Sequence, residues 1–88
     1  PFNHSFSVMV ECDDQAEVDR LWDALCVGGE AEQCGWLRDR WGLCWQIVPR
    51  RLTELMNDPD AARVRRVTEA MLLMGKIDIA GLEAAARG

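Results

Sequence analysis

The chain has 88 residues, 49% of them apolar, with 10 basic against 15 acidic side chains and a formal charge of −5. That length holds one small domain, which buries only a modest share of its surface, so the apolar excess predicts surface meant for a second copy or a partner segment. The negative balance argues against a nucleic-acid partner, which needs a positive field to meet phosphates. No apolar run approaches the ~18 residues of a membrane span.

The first strand is expected over residues 5–12, with Phe6, Val8 and Val10 alternating against Ser7, Met9 and Glu11, so successive side chains face opposite sides of a sheet. His4 stands at its entrance, as a surface residue. A helix then opens at Asp14, where Glu17 completes a capping box and the adjacent carboxylates of Asp13 and Asp14 are explained by capping. Val18, Leu21, Trp22 and Leu25 share one face of this helix, and Gly28-Gly29 ends it. Residues 30–33 read as a short polar edge strand and residues 36–38 as the next strand.

Asp39-Arg40-Trp41-Gly42 supplies a turn, Gly42 being free to take a positive φ. In the strand that follows, Leu43, Trp45 and Ile47 alternate with Cys44, Gln46 and Val48, and Pro49 ends the ladder. Gln46 beside Cys44 is an odd choice for plain core, and marks that face as the candidate pocket wall. The remainder reads as helical. Pro49 opens a short helix over residues 50–56, closed by Asn57-Asp58, and Asp58-Pro59 starts the next as N-cap and first position. Val64, Val67, Met71 and Met74 lie on one face of that helix, a methionine stripe read as packing or interface, before Gly75 stops it. Asp78 caps a last helix through Arg87, with Ile79 and Leu82 inward.

The expected fold is therefore α+β: a βαβββ module over residues 1–49, then a helical extension over residues 50–88 that packs on the module or on a partner. Arg63, Arg65 and Arg66 are diluted by Asp58, Asp60 and Glu69 and read as a solvated helix face. The four cysteines form no CxxC pair, and the lone histidine completes no zinc site. Reduced, half-buried thiols in a cytoplasmic protein are expected. No phosphate loop, HExxH or GxSxG motif is present. Cys34 lacks a nearby base in sequence and is assigned a structural role.

The strings FSVMVECDDQAEVDRLWDAL, CGWLRDRWGLCWQIVP and MLLMGKIDIAGLEAA resemble the C-terminal half of PhnB-like proteins, a family labelled 3-demethylubiquinone-9 3-methyltransferase. That family falls in the vicinal oxygen chelate superfamily, with glyoxalase I, bleomycin-resistance proteins and extradiol dioxygenases. The resemblance implies that βαβββ modules work in pairs around a cavity. This chain would then form a homodimer or pair with a missing N-terminal module. Metal-dependent relatives place ligands on the first and last strands of a module, and the matching positions here are Ser7 and Gln46. Both are poor ligands for a divalent cation, so no metal and no cofactor are expected. A methyltransferase would imply a glycine-rich S-adenosylmethionine loop in a parallel sheet, which the chain lacks, so the label is taken as a family name.

The reading favoured is a metal-free small-molecule-binding protein of the bleomycin-resistance type. Its cavity would be lined by Ser7, Met9, Glu11, Cys44 and Gln46, with Trp36 as a stacking surface. The alternative is a metal-dependent glyoxalase- or dioxygenase-like enzyme whose ligands come mostly from the partner module, with Glu11 as a candidate base under burial. A scaffold with an empty cavity is the third.

Overall fold

The computed structural model describes residues 6–88. His4, expected at the first strand's entrance, and Ser5, expected as that strand's first residue, lie outside the described residues. The elements follow in the order β1 (Ser7–Cys12), α1 (Gln15–Cys26), β2 (Glu30–Ala31), β3 (Trp36–Arg38), β4 (Cys44–Pro49), α2 (Arg50–Met56), α3 (Ala61–Leu72) and α4 (Ile79–Arg87). The fold is α+β, and its first half runs βαβββ as the alternation and helix signals predict.

The strands form one sheet in the order β1-β4-β3-β2, with β1 parallel to β4 and the other neighbours antiparallel. Because side chains alternate, directly paired residues share a face. Val10, Cys12, Leu37, Trp45 and Ile47 therefore point together to one side, where α1 covers them with Val18, Leu21, Trp22, Leu25 and Cys26. Trp22 is the buried anchor of that layer, as its helical spacing predicts.

A second core lies on the other side of β4. Leu52, Leu55, Val67, Ile77, Leu82 and Ala86 pack together, and Val48 joins them with Met71 and Met74. The consecutive residues Ile47 and Val48 thus feed two separate cores. Three polar connections seat the C-terminal segment. Gln15 on α1 donates through Nε2 to the Ile77 carbonyl (2.9 Å) and accepts from the Ile79 amide (2.7 Å). Lys76 pairs with Asp19 at 3.0 Å. The amides of Cys34 and Gly35 donate to the carbonyls of Met74 and Gly75 at 2.8 and 2.9 Å.

Several boundaries differ from the expectations. The N-cap of α3 is Asp60, which accepts from the amides of Ala62 and Arg63. Asp58 instead accepts from the Asp60 amide at 2.7 Å and pairs with Arg63, a local turn that holds Pro59 and Asp60 out of the helix. That helix also ends early, with Leu73 as its C-cap, ahead of Gly75. Pro49 is both the last residue of β4 and the N-cap of α2. At α1 the Glu17 amide donates to Asp14 as expected (2.9 Å), but the reciprocal bond to Glu17 comes from the Asp13 amide.

Candidate functional site

The register Ser7↔Cys44, Met9↔Gln46, Glu11↔Val48 and Trp36↔Gln46 places all six residues singled out from sequence on the sheet face turned away from α1. Alternation groups Ser7 with Met9 and Glu11, and Cys44 with Gln46, and the register joins these groups and Trp36 on one face. Where that face meets α2 and α3 it forms one wall of an open hollow of about 470 Å³. Met9, Trp36 and Gln46 form its sheet wall, with Cys34 and Val48 beside them. Leu52, Thr53, Met56 and Asn57 of the α2 segment and Met71 of α3 form the opposite wall.

The remaining three of the six stand at different depths. Ser7 accepts a hydrogen bond from Gln46 Nε2 at 3.1 Å, so it orients the amide. Cys44 shares the face but is fully buried, and does not line the hollow. Glu11 sits at the rim with half of its side chain exposed. It accepts from Thr53 Oγ1 at 3.4 Å and lies 4.0 Å from Arg50 Nε, so it is not the buried base that the enzyme reading needs.

The wall supplied by the extension escaped the sequence reading, except that the methionine stripe was a usable signal. Met71 belongs to it, and it both packs on the second core and lines the hollow. Cys34 also lines the hollow. It carries φ +60°, the one positive φ outside glycine among the described residues, and the adjoining Gly35 follows at +83°. This local path turns the chain from β2 into β3 and aims both amides at the C-terminal segment.

A second hollow of about 600 Å³ opens where the N-termini of α1, α2 and α4 meet. Its charges are already matched. Arg50 pairs with Asp13, and Arg51 with Glu83 and Glu54. The Asp14 and Asp78 carboxylates cap their own helices.

Thiol chemistry separates the cysteines. Burial, then the nearby Glu17 carboxylate, pushes the Cys12 thiol up to about 11. Burial likewise raises Cys26. No disulfide joins any of the four. Ser7 and Gln46, the positions that the resemblance matches to metal ligands, are neutral and joined by one hydrogen bond, a donor pair poorly suited to a divalent cation. Among the described residues no three His, Cys, Asp or Glu side chains converge as a metal cluster. No helix among them is long and apolar enough to cross a membrane.

No curated protein matches the chain. Residues 1–48 match the family described as 3-demethylubiquinone-9 3-methyltransferase, a stretch that closes just before Pro49 and leaves α2, α3 and α4 outside. With more than half of its length matched, the chain belongs to the 3-demethylubiquinone-9 3-methyltransferase family.

Proposed function

We propose that this chain is a PhnB-like module of the vicinal oxygen chelate superfamily, equivalent to the C-terminal half of the paired arrangement, and that it binds a small molecule without a metal. The observation that carries this reading is the shared face. Met9, Trp36 and Gln46 line one hollow of about 470 Å³, a size in the range of small-molecule sites, about 300–1,000 Å³. Ser7 fixes the Gln46 amide from beside it.

Pairing has support of its own. β1 is an edge strand whose outer side pairs with nothing among the described residues, and Met9 upon it is 64% exposed. A second copy or an upstream module set against that edge would extend the wall of the hollow. A cytoplasmic location is part of the same reading, because it accounts for four free thiols.

Methyl transfer does not suit these residues. S-adenosylmethionine carries a sulfonium, an ammonium and a carboxylate, and among the described residues no charged side chain lines the hollow to meet any of them. The metal-dependent alternative would have to draw its ligands from the second module.

Elemental analysis of chelator-free, untagged protein tests the reading first. Sub-stoichiometric divalent metal is expected; a stoichiometric amount would replace it with the glyoxalase- or dioxygenase-like enzyme. Gln46→Ala should leave folding intact and abolish the thermal shift given by ligands that stabilise the parent. An unchanged ligand response in that variant would remove Gln46 from the site.

A further inference from the structure

The hollow under α2 has a chemical signature that goes beyond its being a pocket. Charged residues make up 28% of the chain, yet the ten described residues around this hollow include none. The walls are instead soft and apolar: the sulfurs of Met9, Met56, Met71 and Cys34, and the indole of Trp36. Methionine and cysteine sulfur is polarizable, and unbranched methionine adapts its shape to what it touches. Glu11, bonded to Thr53 at the edge of the hollow, lies 4.0 Å from Arg50 Nε, which compensates its charge.

The polar groups in the wall are few and mostly used. Gln46 gives Nε2 to Ser7, and Asn57 gives Nδ2 to the Thr53 carbonyl at 2.9 Å. The Gln46 and Asn57 side-chain carbonyl oxygens accept nothing among the described residues, which leaves the wall with acceptors. Resting on the binding reading above, we infer that the hollow between the sheet face and α2 selects an uncharged, apolar molecule that carries a hydrogen-bond donor. An ion resting against it would give up part of its hydration with no opposite charge among the described lining residues to replace it.

Cys34 offers a readout inside the site, and Cys26 offers a control outside it, since Cys26, the last residue of α1, packs on the far face of the sheet. Cys12 and Cys44 are fully buried. The experiment is the rate of alkylation by N-ethylmaleimide at each cysteine, read by peptide mass spectrometry. It is run with four probes of equal ring size: naphthol, methoxynaphthalene, naphthoate and naphthylmethylammonium. Naphthol should protect Cys34 and leave Cys26 unchanged. Methoxynaphthalene, which lacks the donor, and both ions should need about tenfold more for the same protection.

Two variants move the selectivity by design. Gln46→Glu places a carboxylate in the wall and should turn the preference to naphthylmethylammonium. Thr53→Lys, at an exposed helix position, should turn it to naphthoate without straining the fold. Equal protection by ions and naphthol would overturn the ligand class and leave the binding site standing. Protection of Cys34 by none of the four would overturn both the class and the binding reading.

Discussion

The two turns on either side of β3 use the same backbone device in opposite settings. Between β3 and β4, Gly42 takes φ +88° with open space around it, and the turn completes its own hydrogen bonds. The Asp39 amide donates to Leu43, and the Gly42 amide to Asp39, both at 2.9 Å. The Asp39 carboxylate collects the amides of Trp41 and Leu43 and the Trp45 indole. Between β2 and β3, Cys34 and Gly35 are both left-handed, and their amides find partners only in Met74 and Gly75. One turn is finished locally. The other is finished by chain some 40 residues later, so left-handed backbone carries different structural weight in the two turns.

Gly35→Ala should cut deepest into that contrast. A Cβ there would stand 2.9 Å from the Ile47 carbonyl oxygen and 3.1 Å from Ile77, on top of the left-handed penalty. A loss of about 2–5 kcal/mol in urea unfolding is expected. Gly42→Ala carries the backbone penalty alone, because nothing lies within 4 Å of its Cβ position, and should lose about 1–2 kcal/mol. Equal losses would mean that the packing around Gly35 contributes nothing.

Asp39→Asn addresses the self-contained turn through acid. The Trp45 indole N–H, followed by the amides of Leu43, Trp41 and Gly42, holds the Asp39 carboxyl below the usual carboxylate range. Its stabilising effect is therefore present above the unfolded value of about 3.9 and is lost as pH falls through the lower folded value. Acid titration of stability should show a shallower limb in the variant, with the rest supplied by Asp19, Asp58 and Glu83, which are lowered likewise. An unchanged limb would remove Asp39 as its source.

The smallest effect is expected from Cys34→Gly. Relief of the left-handed strain should raise stability by up to about 1 kcal/mol. A clear loss would mean that packing of the thiol against the hollow outweighs the strain.

Much of this was legible from residue order. Strict alternation has only two possible outcomes for each strand, and the register that pairs Met9 and Trp36 with Gln46 selects the one in which all three share a face. The bounds of β3, α2 and α4 follow from their flanking Asp, Gly and Pro signals. Alternation names a face but not its cover. That is why Cys44 was placed on the right side of the sheet without its burial being foreseen, and why Thr53, Met56 and Asn57 went unassigned. The start of α3 was misread for a different reason. Asp58 before Pro59 has the form of a cap, and only the geometry reveals that its carboxylate is spent on the Asp60 amide.

The cross-chain bonds at Cys34 and Gly35 also make these two amides clocks for the C-terminal helices. Their hydrogens are held by carbonyls of Met74 and Gly75, so solvent exchange at both requires that segment to lift away. Exchange at the Gly42 amide, whose acceptor lies in its own turn, requires no such event. The gap between the two rates measures the free energy of detaching the extension while the sheet stays folded.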